Sequence, residues 1–424
     1  MSAMPISQIT RTALEAGEGI LPLAPNWVPR VFCKPGRRLR LAPPDYYALG
    51  TNRGGIDERW FASTTEAMNQ NRTPDEGLSY VVTAEHKFTL RDAVAAEGPR
   101  LVGQKMWNEY HRWPVHSKFF DNLEPLPLHL HPNDAQAALV GQQGKPEAHY
   151  FPPQYNPVDN AFPHTYFGLE PGTTREQICR CLERWDVGDN GILNYSKAYR
   201  LQAGTGWHVP TGILHAPGSL CTYEPQWGSD VSGLFQSLVY GHPISWNLLV
   251  KNVPKEKHHD LDFIVDLIDW QGNTDPNFKA HHYLEPIPVA DCVSEGYQDR
   301  WVVYGKFNER QLFSAKELII LPGARMVMKE HGAFGLIVTQ GEGRVGTFRV
   351  HCPSMIRFGE LTEDELFVSY EAAVQGIACE NTSKQEPLVL LRYFGPDTNP
   401  DMPEVGDSKS HRGASAQLSR GSSP

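Results

Sequence analysis

Short apolar runs, some alternating and some continuous, punctuated by Gly and Pro, dominate the chain and predict strands more often than helices. Residues 126–151 read LPLHLHPNDAQAALVGQQGKPEAHYF. The alternating opening predicts a β-strand with residues i and i+2 on one face, and Ala148, Tyr150 and Phe151 around Glu147 predict a second. Residues 20–40, broken by Pro25, Pro29 and Pro35, read as edge strands or extended packing, and residues 50–64 as a turn and a strand. The stretches WVVYG, LIILPG, FGLIVTQGEGRVG, LFVSYE and LVLLRYF predict a second set of strands over 301–394. Helical spacing is rarer. One short helix is expected within 1–20, capped by Ser7 or Thr10, and 90–107 reads as helical or mixed. Within 167–196, Ile178, Leu182 and Trp185 share a face behind a Thr173 or Thr174 cap, with Glu176 near the capping-box position. Leu261, Ile264, Leu267 and Ile268 predict an amphipathic helix over 258–270.

Composition narrows the picture without changing it. The 424 residues suffice for two or three domains, and 37 Gly with 34 Pro suit a β protein rich in turns. A net charge of −10 argues against nucleic acid or an anionic membrane as the main partner. No apolar run approaches the ~20 residues of a membrane span. The opening residues carry no secretory signal pattern, which implies a cytoplasmic protein. Seven scattered cysteines (Cys33, Cys179, Cys181, Cys221, Cys292, Cys352, Cys379) read as reduced thiols, and Cys179-x-Cys181 lacks the second pair of a metal knuckle.

The chemistry concentrates in two segments. His129 and His131 project together from one strand face, Glu147 follows His131 by sixteen residues, and His215 closes GTGWHVPTGILHAPGS. Imidazole nitrogens with a carboxylate are ligands for a borderline or hard divalent ion. The doublets His258-His259 and His281-His282 read instead as solvated loops or helix ends, because adjacent side chains diverge.

These motifs resemble those of the cupin superfamily, and Pro210-x-Gly212-x-x-His215 fits its second metal motif residue for residue. The long spacing to Glu147, and HPND followed by GKPE, resemble the type I phosphomannose isomerases. Those enzymes read Gln-x-His-Pro-Asn/Asp and then Lys-Pro-Glu. The likeness extends loosely over 50–394 and is specific over 113–151 and 167–230. It implies a mostly β fold of two jelly-roll barrels with helical insertions: an N-terminal extension (1–40), a metal-binding cupin domain (41–240) with its helical insertion at 167–196, a helical linker (241–300) and a degenerate cupin domain (301–396), while the Ser, Gly, Pro and charge of 397–424, with almost nothing apolar, predict a disordered tail. The second cupin domain keeps only His331 of the metal motif and is expected to pack against the first domain or a partner subunit; a homo-oligomer stays open.

The resemblance further implies one divalent ion, zinc first with Mn, Fe, Ni or Co as alternatives, held by His129, His131, Glu147 and His215. It implies a sugar or sugar phosphate as substrate, interconverted between aldose and ketose. Lys145, Asp230 and Glu224 are the candidates for acid/base work, and Lys118 either joins them or packs its stem along the sheet. His208 is a candidate to orient a ligand. Three departures stand out. His129 replaces the family's Gln, Asn52-Arg53 replace a Trp, and Leu234 stands where the family has an Arg that handles the substrate phosphate. Arg200 is a candidate replacement charge, and the substrate could be unphosphorylated. Three His and one Glu are also the ligand set of iron or manganese cupin dioxygenases, and a metal-tethered sugar-binding protein without turnover is the third class left open.

Overall fold

The computed structural model describes residues 4–158, 162–290 and 293–406. It is mostly β, and antiparallel sheets organise both halves. In the first half a seven-stranded sheet runs Tyr283–Leu284, Gly206–Val209, Glu147–Tyr150, Thr222–Trp227, Val115–Phe120, Gly55–Phe61 and Asn26–Arg30. A five-stranded sheet runs Ser196–Arg200, His164–Leu169, His215–Ala216, His129–Leu130 and Gly233–Leu234. The second half is built on another seven-stranded sheet, from Ile20–Pro22 through Glu365–Val368, Phe334–Gln340, Leu388–Phe394, Ser314–Ile320 and Tyr297–Val303 to Ile287–Ala290.

The two-residue period of a strand decides what each face of the first sheet does. Phe61, Phe119, Ala148, Tyr150 and Tyr223 point to one side and share a core with Phe367, Leu391 and Tyr393 of the second half. Their neighbours Glu58, Lys118, Glu147 and Glu224 point to the other side and line a cavity. The two halves are further joined where Arg59 makes two 2.7 Å hydrogen bonds to Asp364 and where the Tyr393 hydroxyl donates to Phe61 O at 2.9 Å.

Helices back the five-stranded sheet. The helix Arg175–Glu183 lays Ile178 and Leu182 on a core shared with Leu128, Leu130 and Leu214. Its cap is Thr174, and the reciprocal residue of the capping box is Gln177 rather than Glu176. The single helix expected over 258–270 is two short ones, Leu261–Val265 and Trp270–Asn273. Asp269 breaks it: its N–H donates to Gly212 O at 3.0 Å, and its carboxylate caps the second helix through Gly272 N at 3.1 Å. Residues 90–107 fall on two helices, Leu90–Val102 and Gln104–Tyr110.

The N-terminal segment is less detached than an extension. Its helix Ile6–Ala16 starts behind Pro5 with no side-chain cap, and Thr10 lies inside it, donating to Ile6 O at 2.8 Å. Ile20–Pro22 then joins the second half's sheet and Asn26–Arg30 the first half's. At the other end, residues 397–406 are packed rather than loose. The Asn399 amide, for example, donates to Ser314 Oγ at 3.0 Å. Residues 407–424 of the expected tail, and Cys292, lie outside the described residues. None of the six described cysteines is in a disulfide, and no helix among the described residues is long and apolar enough to cross a membrane.

Candidate metal centre

The five-stranded sheet brings the imidazoles together. His215 pairs in register with His129, and Leu234 faces His129 from the other side. His131 follows directly after its strand. The ring centroids of His129, His131 and His215 lie 4.1–5.2 Å apart. Each ring turns Nδ1 to a backbone carbonyl: His129 to Pro127 O at 2.8 Å, His131 to Val231 O at 2.7 Å, and His215 to Ile213 O at 2.9 Å. A carbonyl oxygen only accepts, so the proton sits on Nδ1 and each Nε2 keeps a lone pair aimed inward.

Glu147 reaches this cluster from the opposite sheet. Its Oε2 is 2.9 Å from His131 Nε2, and its Oε1 is 3.1 Å from His215 Nε2. His215 Nε2 nevertheless makes no hydrogen bond among the described residues, although it is fully buried. A buried nitrogen with a free lone pair, beside His129 Nε2, a His131 Nε2 that lies 3.3 Å from the Lys145 ammonium, and a carboxylate, fits a divalent cation. Burial, together with the neighbouring rings, holds His129 well below the ordinary histidine value, and burial with the Lys145 charge takes His131 to about 4. Both are therefore neutral, as ligands must be. Burial by itself would raise Glu147, but Lys145 and His131 carry it well below the carboxylate range.

Beside the cluster runs a row of alternating charge. Asp230 is 2.9 Å from Arg30, Arg30 3.0 Å from Glu58, and Glu58 3.0 Å from Lys118. Lys118 lies 3.2 Å from Glu224, Glu224 3.3 Å from Lys145, and Lys145 2.7 Å from Glu147. All seven side chains are buried. Burial and the nearby Glu147 charge push Glu224 up to about 8, so it is protonated at neutral pH. Asp230 is the opposite case. Burial disfavours its charge, yet the bidentate Arg30, helped by the charges of Lys251 and Lys145, holds it far below the usual range. The cavity onto which this row opens has a volume of about 320 Å³, within the small-ligand range of roughly 300–1,000 Å³.

His129, His131, Glu147, His215, Lys145, Glu224, Asp230 and Lys118 thus meet at one place. His208 does not join them. It pairs with Ala148, on the face away from Glu147, and stacks on Phe307 at 3.6 Å. Arg200 sits on the far edge strand of the five-stranded sheet and does not line the cavity. His281 contacts Asp275 at 2.6 Å, His258 contacts Val253 O at 3.0 Å, and His331 is exposed, all away from the cluster.

Sequence reasoning missed four residues. His149 donates to Glu147 Oε1 at 2.9 Å, and Glu147, His149 and His215 form a second group of converging ligand atoms. Its signal was present: His149 lies two residues after Glu147, hence on the same strand face. Glu58 carried the same kind of signal within its strand. Arg30 and Lys251, which line the cavity from distant segments, carried none.

No protein-family model matches the chain. It is 27% identical over 275 residues to mannose-6-phosphate isomerase ManA of Bacillus subtilis, covering 63% of this chain and 74% of that protein. The crystal structure of the mannose 6-phosphate isomerase from Bacillus subtilis superposes with a TM-score of 0.57 at 17% identity, covering 89% of this chain and 99% of that one. A zinc-bound mannose 6-phosphate isomerase superposes with a TM-score of 0.58 at 12% identity over the same shares of each chain. The resemblance first carried by HPND, GKPE and PTGILH therefore extends to the fold.

Proposed function

We propose that this chain is a metal-dependent aldose–ketose isomerase of the phosphomannose isomerase kind. The observation that carries the reading is the convergence of three inward Nε2 lone pairs and Glu147 beside the Lys145–Glu224 pair. His129, His131, Glu147 and His215 would hold one divalent ion. Zinc is the first choice, because nitrogen and carboxylate donors suit it and a solved structure of similar fold contains it. Bound there, the ion would supply Lewis acidity to a sugar oxygen.

The remaining work falls to the chain's own groups. Moving between aldose and ketose takes a proton from C2 to C1 and a hydroxyl proton from O2 to O1. Glu224 in its carboxylate form can take the proton from C2 and return it to C1, and the Lys145 ammonium, 3.3 Å away, can give a proton to O1 and recover one from O2. Asp230, occupied by Arg30, serves as an anchor for that guanidinium rather than as a base. Lys118 orients Glu224 from the far side. In this reading the two halves are two jelly-roll barrels, the first with the centre and the second as its support.

The test is purified protein, its metal content, and a panel of free and phosphorylated aldoses. Interconversion by the metal-loaded protein, lost on chelation and restored by metal, is the expected result; no interconversion of any aldose ends the proposal. His129, standing where the family has Gln, keeps the dioxygenase reading alive as the second choice. Oxygen consumption with a redox-active ion would favour it.

A further inference from the structure

The cavity contains one cation that the charge row leaves over. Arg30, Lys118 and Lys145 each contact at least one carboxylate within 3.3 Å. Lys251 lines the same cavity and forms no ion pair and no hydrogen bond among the described residues. The acid whose charge acts most on Lys251 is Asp230, whose two oxygens are taken by Arg30 and by Met68 N.

The backbone holds Lys251 in place. Leu249, Val250 and Val253 are buried on the core behind the five-stranded sheet, and Asn252 accepts from Ser232 N at 2.9 Å. A lysine stem costs entropy to order, and a half-buried ammonium loses hydration. Burial holds Lys251 below the ordinary lysine value, and Asp230 only partly offsets that. Leu234, across from His129, lines the same cavity as Lys251, and its aliphatic side chain offers an oxyanion no charge.

We infer that Lys251 is the specificity residue of this site, binding an oxyanion carried by the sugar, a phosphate or a carboxylate. The inference rests on the sugar-isomerase reading for the identity of the ligand, but its test does not need turnover. Ser232 and Ser245 line the same wall and are suited to share the oxyanion with the ammonium.

The experiment is calorimetric titration of the metal-loaded full chain with an aldohexose 6-phosphate, a hexuronate and the free aldohexose. Wild type is expected to bind one of the two anions at least about tenfold more tightly than the neutral sugar. Lys251→Met keeps the stem and should lose about tenfold or more of that affinity, while Lys251→Arg should recover most of it. Which anion responds tells phosphate from carboxylate. Equal anion affinity in wild type and Lys251→Met overturns the inference, as does a wild type that binds neither anion better than the neutral sugar. Anion binding that depends on Lys251 without any turnover would sink the isomerase and keep the subsite; turnover with binding indifferent to Lys251 would do the reverse.

Discussion

Both halves of the molecule bury charge against a sheet, and they do it differently. In the second half Lys316, Glu330, Arg392 and Asp299 form a closed set: Lys316 meets Glu330 at 2.7 Å, and Arg392 bonds both Glu330 and Asp299. Two cations match two anions, and every one of them has a partner. In the first half the three imidazoles turn Nε2 inward, and His215 Nε2 makes no hydrogen bond among the described residues. Glu224 is forced to keep its proton, and Lys251 forms no ion pair among the described residues. Buried charge that serves the fold is neutralised within the fold. Buried charge left incomplete points to a ligand that completes it.

The strongest way to break that contrast is to remove one member from each cluster. His215→Ala should lower kcat on the order of a thousandfold, about 4 kcal/mol of barrier, and reduce bound metal measured by elemental analysis. The metal-free variant should lose less urea stability than Glu330→Ala does, because the ring it loses takes packing and one Nδ1 bond with it but leaves no buried charge unpaired. Glu330→Ala should do the reverse. It leaves Lys316 and Arg392 buried without their shared anion, which costs about 3–5 kcal/mol in urea unfolding, while metal content per folded chain stays at the parental value. If Glu330→Ala strips the metal, or His215→Ala collapses the metal-free fold, the division between the halves is wrong.

The contrast also explains what could be read from the chain. His129, His131, Glu147 and His215 were legible because strand periodicity and two compact motifs constrain them locally. Lys145, two residues before Glu147, was legible for the same reason. Arg30 and Lys251 were not. Arg30 lies two hundred residues from Asp230, and only the pairing of Asn26–Arg30 with Gly55–Phe61 carries it into the cavity. The segment holding Lys251 is fixed by core contacts of Leu249 and Val253 that no local period announces. The helix expected over 258–270 failed through a tertiary bond, Asp269 N to Gly212 O, overriding a correct apolar pattern. The joining of Ile20–Pro22 to Glu365–Val368 is likewise a long-range pairing that the short apolar run cannot foretell.

A smaller effect sharpens the first-half side. His149 fixes Glu147 Oε1 at 2.9 Å, so it orients the carboxylate toward the imidazoles. Removing such a supporting partner typically lowers metal affinity by about 10–100-fold. His149→Ala should therefore weaken metal binding by that factor in a competition titration with a chelator, while His208→Ala, on the other face of the strand pair, should not. Equal losses in both variants would mean that general destabilisation, not the Glu147 contact, is being measured.

The smallest effect lies at the seam between the halves, where Glu365 sits beside Arg59. Burial pushes Glu365 up to about 8 against the pull of Arg59 and the Ala62 N–H. An acid whose folded value exceeds its unfolded one favours the folded state while protonated. The stability it contributes is fully present below the ordinary glutamate value of about 4.5 and is lost progressively as pH rises toward 8. Glu365→Gln cannot ionise, so its urea stability should fall less than that of the parent between about pH 5 and pH 8. Above that window the difference between the two proteins should stay constant. Asp364, which makes both short bonds to Arg59, keeps the seam closed in either protein, so the variant isolates the one carboxyl that the guanidinium does not fully compensate. Parallel stability curves across the window would place Glu365 among the completed charges of the second half instead of at its open edge.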